Sequence, residues 1–219
     1  MSQRISLTES DGREKRVLNA KFEVRSDNDS PSKVVGYAAL FNKRSENFGN
    51  GEYPFFEVIA PGAFRDVLND DVRAVIDHQG GLQTLARTKS GTLKLSEDEL
   101  GLRFEFEAPN TQAGRDIIEI LKRGDIDQAS FAFTVSEEGQ SFEDITEDGK
   151  AVTVRTVNKI SRLYDVSPVT YPAYPDTLVQ ARSFEKFLHE RKTTRNNDKA
   201  EIESAARARH LEIIEKTIQ

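Results

Sequence analysis

The chain has 219 residues, 37% of them hydrophobic and 31% charged, with a formal net charge of −6. That length supports one substantial domain with appendages, and the acidic balance argues against broad electrostatic binding to nucleic acid. No cysteine is present, which removes disulfides, thiol nucleophiles and cysteine-ligated zinc together.

No apolar run reaches the ~18 residues of a membrane helix. The opening MSQRISLTESDGREKRV has no apolar signal region. The expectation is a soluble, intracellular protein. Residues 1–18 are polar and are expected to be poorly ordered. AKFEVR (20–25) and KVVGYAALF (33–41) have strand composition and flank the turn-rich SDNDSPS. A loop over 42–53 leads to a third strand, PFFEVIA. PGAFRDVLND then places Pro61 and Gly62 before a short amphipathic helix. VRAVIDH returns to strand composition.

The stretch from Thr84 to Ala108 alternates. Leu93 and Leu95, then Leu102, Phe104 and Phe106, each hold one face, so an antiparallel pair is expected. NTQAGRDIIEILKRGDI is the clearest helix: Ile117, Ile118 and Leu121 form its apolar stripe and Gly124 its C-cap. QASFAFTVS, AVTVRTVNKI and LYDVSPVTYPAYP read as further strands. EDITED (143–148) reads as a solvated turn.

From residue 181 the texture becomes helical and charged. Nine Lys and Arg stand there against seven Asp and Glu, a net of +2 that leaves −8 on the first 180 residues. The expected organisation is an N-terminal segment (1–18), a mainly β domain with helices (19–180, α+β) and a helical tail (181–219). On that tail Leu211, Ile214 and Ile218 form an apolar stripe.

Three residues carry candidate chemistry. In the strand after Gly124, Ala129, Phe131, Phe133 and Val135 point one way. Ser130, Ala132, Thr134 and Ser136 point the other and form a face of small side chains. Such a face leaves room for an imidazole and a substrate backbone. A serine in a strand is usually structural; it acts as a nucleophile only with a base in reach and a third group to orient that base. His78 ends a strand on the face of Val72, Ala74 and Ile76, before the flexible QGG. It reads either as a capping or satisfied histidine or as a general base, because imidazole titrates near neutral pH. Asp165 shares a strand face with Leu163, Ser167 and Val169. A carboxylate there is costly to bury without a partner; an exposed edge or a pair with Arg162 is the alternative. Ser167, two residues from Asp165, is a rival nucleophile. His189 and His210 lie in the charged tail and read as solvated. No zinc motif, aspartic-dyad motif or phosphate-binding glycine loop occurs, so no cofactor or metal is expected.

The order GYAALF, FFEVIAPGAF, VRAVIDHQGG, SGTLKLSEDELGLRFEFEAP, GRDIIEILKRGDIDQASFAFTV and ISRLYDVSPVTYPAYPDT resembles the prohead maturation proteases of tailed bacteriophages, over roughly residues 20–180. The resemblance implies a serine endopeptidase with a herpesvirus-protease-like β-barrel surrounded by helices. It implies His78 as base, Ser130 as nucleophile and Asp165 as the third member. Alanine stands at 132 where the family commonly has glycine, and Ala129 stands where methionine is frequent. The resemblance further implies action inside the immature capsid in the bacterial cytoplasm. The expected partners are the major capsid protein with its scaffolding region, or a separate scaffold protein, with the chain itself as a further substrate. No nucleic acid or membrane is among them, and the herpesvirus likeness adds a homodimer to test. The tail is expected either to dock on scaffold or capsid protein and be removed on maturation, or to be a solvated helix that folds back on the barrel. A non-catalytic capsid assembly protein with the same fold is the competing reading.

Overall fold

The computed structural model describes residues 12–25, 31–49 and 53–170. The expected tail over 181–219 and the segment 1–11 lie outside the described residues. Among the described residues the protein is mainly β, with one α-helix. The strands are β1 (Glu14–Asn19), β2 (Glu23–Arg25), β3 (Lys33–Leu40), β4 (Phe55–Ile59), β5 (Arg73–Ile76) and β6 (Gln79–Arg87). They continue as β7 (Leu93–Glu97), β8 (Gly101–Glu107), β9 (Gln128–Thr134), β10 (Gln140–Glu147), β11 (Lys150–Val157) and β12 (Arg162–Val169).

These strands form three sheets, ordered β1-β9-β12-β5-β6, β10-β11-β4 and β2-β3-β8-β7. The ladders do not join into a closed barrel, so that expectation holds only for the mainly β character. A shared core fills the space between the sheets. Phe104 and Phe106 of β8, Phe131 and Phe133 of β9, Val34 of β3 and Leu163 of β12 are all fully buried there. The β7–β8 hairpin pairs as the alternation predicts, with Leu93 opposite Phe106 and Leu95 opposite Phe104.

The helix α1 spans Gln112–Arg123 and buries Ile117 and Leu121. Thr111 caps it by accepting a hydrogen bond from the Gly114 N–H at 3.1 Å. Gly124 ends it at φ 77°, donating to the Ile120 and Leu121 carbonyls. The short helix expected after Pro61 is instead a run of turns. Its backbone bonds are i→i−3, from Ala63 to Ala60, Arg65 to Gly62 and Val67 to Phe64. Two features stop an α-helix there. Gly62 sits at φ 86°, and the Phe64 N–H donates to the Glu97 carboxylate at 2.9 Å rather than to a carbonyl. The amphipathic character survives, since Ala63, Phe64 and Val67 are buried.

Two strands were not expected. Residues 14–18, read as poorly ordered, belong to β1 and pair antiparallel with β9. Residues 143–147, read as a solvated turn, belong to β10 and pair with β11. Both were hidden by charge. Glu14 and Arg16 turn inward and meet Glu57 of β4 and Arg155 of β11. Arg16 grips Glu57 with two donors at 2.7 and 2.8 Å. Arg155 donates to Glu57 at 2.7 Å and to Glu14 at 2.6 and 2.8 Å. Its Nε reaches Gln140 Oε1 of β10 at 2.6 Å. Two cations and two anions thus cancel in a buried cluster that ties β1 to the β4–β11 ladder.

Removing one member would strand an unpaired buried charge. Arg155→Met should therefore lower stability by about 3–5 kcal/mol, read as a fall in the urea midpoint. Acid should act on the same cluster. Burial opposes the charged form of Glu14, but Arg16 and Arg155 outweigh it and hold the carboxyl at about 2, against a usual 4.5. A lowered folded-state value stabilises the fold above about pH 4.5 and loses that stabilisation as pH falls toward 2. The unfolding temperature should drop across that window, and Glu14→Gln should flatten the drop.

Candidate active site

Strand β9 has β1 on one side and β12 on the other. Its two faces differ as period two requires. Phe131 and Phe133 stack at 4.8 Å between ring centroids, and Phe131 meets Phe64 edge-on at 5.5 Å. The opposite face carries Ser130 and Ala132. Ser130 stands directly across from Val17 of β1 and Ser167 of β12.

The acid reaches this face through an irregularity. Leu163 pairs with Phe133, but the next pair is Asp165 with Ala132, so Tyr164 is an extra residue in β12. Such a bulge re-aims the side chains that follow it. Leu163 therefore stays in the core while Asp165 and Ser167 face the Ser130 side. The expected common face for Leu163 and Asp165 is thereby corrected: unbroken alternation would have sent Asp165 into the core.

His78 is not the end of a strand. Strand β5 stops at Ile76, which pairs with Gln79 of β6, and Asp77 and His78 form the two-residue loop between them. Both have left-handed φ, 49° and 58°, as the loop of a type I′ hairpin demands. The face shared with Val72, Ala74 and Ile76 ends at that turn, and His78 swings to the other side. Asp77 holds the turn in place. Its N–H donates to the Pro168 carbonyl at 3.1 Å. Its carboxylate accepts from the Thr170 N–H and the Thr170 hydroxyl, each at 2.7 Å. The end of β12, which carries Asp165, is thus bound to the turn that carries His78.

These elements bring the three predicted residues onto one ring. His78 Nδ1 lies 2.6 Å from Asp165 Oδ1, and His78 Nε2 lies 2.6 Å from Ser130 Oγ. An ionised carboxylate only accepts, so Nδ1 carries the proton and Nε2 accepts the Ser130 O–H. The alternative pairing of Asp165 with Arg162 does not form: Arg162 lies over the Tyr164 ring at 4.8 Å. Ser130 is fully buried, and the His78 side chain is 9% exposed.

Ser167 takes a different place from the one a rival nucleophile needs. Its hydroxyl donates to Asp165 Oδ1 at 2.8 Å and stands 3.4 Å from Nδ1, the protonated nitrogen. Two contributors escaped the sequence. Asp77 was visible only as the neighbour of His78; an Asp that tolerates left-handed φ before a glycine-rich turn was its one signal. The Tyr164 bulge leaves no signal in a single sequence. A surface cavity of about 600 Å³, lined among others by Leu68, Asp71, Lys89, Lys94 and Arg103, contains none of the three residues. Among the described residues, no group of three or more His, Asp or Glu side chains could hold a metal ion.

No curated protein matches the chain. The solved structure of the bacteriophage T4 capsid assembly protease is similar at 8% identity and a TM-score of 0.31, over 69% of this chain and 98% of that one. That likeness is too loose to argue from. A family model described as caudovirus prohead serine protease matches residues 20–190, well over half the sequence. The chain therefore belongs to the caudovirus prohead serine protease family.

Proposed function

We propose that this chain is a serine endopeptidase that matures a phage prohead, with Ser130 as nucleophile, His78 as general base and Asp165 as the group that orients the base. The observation that carries the reading is the single imidazole bonded at 2.6 Å to a hydroxyl on one nitrogen and to a carboxylate on the other. Family membership supports the capsid-maturation context.

The chemistry follows from the tautomer. Nε2 takes the Ser130 proton as Oγ attacks a peptide carbonyl. The imidazolium that forms is stabilised by Asp165 and then protonates the leaving amine. Water, activated by the same nitrogen, releases the acyl group. The substrates in this reading are a scaffold protein, or the scaffolding region of the major capsid protein, and the chain itself. The place of action is the immature capsid within the host. The tail over 181–219 is a segment for docking on those partners and for removal on maturation.

Ser130→Ala should abolish cleavage of a co-expressed capsid or scaffold protein and leave the chain itself intact, with its circular dichroism unchanged. His78→Ala should do the same. Asp165→Asn should leave a weak residual rate, lower by about 10⁴-fold, because the ring loses its orientation but binding remains. Gel analysis of the co-expressed proteins reads all three, and full cleavage by Ser130→Ala would refute the assignment. Asp77→Ala should lower kcat by about tenfold to a hundredfold with little change in KM, since it displaces the base without touching a substrate. Unchanged kcat in that variant would show that the turn holds His78 without its help.

A further inference from the structure

We infer that Ser167 is a positioning residue for the reaction: its hydroxyl fixes the Asp165 carboxylate in the orientation that receives His78. The inference rests on the serine-nucleophile reading of the site and assigns a role to a second buried hydroxyl that the three-residue mechanism does not use.

The geometry begins with the ladder. Ser167 lies directly across from Ser130, and residues opposite one another in an antiparallel pair project to the same face. Both hydroxyls are fully buried. A buried hydroxyl needs a partner, and these two find theirs on opposite sides of one imidazole system. Ser130 Oγ meets Nε2 at 2.6 Å. Ser167 Oγ meets Asp165 Oδ1 at 2.8 Å, and that same oxygen accepts Nδ1–H at 2.6 Å. The carboxylate torsion of Asp is broad and roughly two-fold, so Asp165 alone could present either oxygen or a tilted plane to the ring. A donor two residues along the same strand face selects Oδ1 and fixes the plane.

Ser167 cannot serve as the nucleophile in this arrangement. The nitrogen nearest to it, at 3.4 Å, already holds a proton for Asp165, so no base is available to it. The side it shares with Asp165 follows from the Tyr164 bulge. Downstream of that extra residue, positions 165 and 167 share the Ser130 side. One irregularity therefore delivers the acid and its orienting hydroxyl together.

The test uses the full chain and a fluorophosphonate, which reports nucleophile activation without knowledge of the natural substrate. Mass mapping should find the label on Ser130. Ser167→Ala should label the same serine with a maximal inactivation rate lower by about tenfold and an unchanged half-saturating concentration. On an Asp165→Asn background the same change should add little, because Ser167 acts through the carboxylate. An unchanged inactivation rate in Ser167→Ala overturns the positioning role alone, and so does an undiminished extra loss on the Asp165→Asn background. A label mapped to Ser167 in the unmutated chain overturns both this role and the assignment of Ser130. A folded chain that takes no label at any serine removes the nucleophile reading, and the positioning role falls with it.

Discussion

The ladder between β9 and β12 sets Ser130 opposite Ser167 and Ala132 opposite Asp165. Everything else at the site is arranged around that register. On the other face of β9, Phe131 and Phe133 are locked in the core, so the strand cannot slide by one residue without exchanging its faces. The phenylalanines thus do more than stabilise. They hold Ser130 at a fixed height against β12, and the hydrogen bonds of the ladder carry that position across to Asp165.

Strand β9 is held from its other side by β1, and β1 is held by charge. Arg16 bonds Glu57 and its guanidinium lies over the Phe133 ring at 5.5 Å from the centroid. Arg155 closes the cluster from β11. A buried ion cluster is a poor source of net stability, because desolvation opposes the attraction. Its geometric demand is strict all the same: only one register of β1 lets Glu14 and Arg16 meet both partners. Charge complementarity here selects the pairing of the strand that flanks the proposed nucleophile.

What the sequence made legible follows from these same constraints. The two faces of β9 could be read because alternation there is unbroken, with phenylalanines at 131 and 133 and small residues between them. Helix α1 could be read because its apolar stripe and its C-terminal Gly124 agree. His78 and Asp165 could be named, on the family motifs, but not placed. Alternation put His78 on the Ile76 side, whereas a left-handed turn reverses it. Alternation put Asp165 beside Leu163, whereas the extra Tyr164 separates them. Strand β1 was missed because inward-facing Glu14 and Arg16 look like a solvated segment. Their partners lie far along the chain, with Arg155 141 residues from Glu14. Bulges and long-range ion pairs are tertiary facts, and a local pattern does not contain them.

The turn at Asp77 and His78 shows where the fold spends stability on the site. Two consecutive non-glycine residues in the left-handed region cost about 1 kcal/mol or more each, and they persist only where the surroundings over-determine them. Here the closure of β5 onto β6, the Asp77 bonds to Thr170 and the Asp77 N–H bond to Pro168 all fix the same conformation. The ring it presents is then held at both nitrogens. In the proposed mechanism this means the base needs no reorientation when the proton leaves Ser130; the dipoles already point where charge develops.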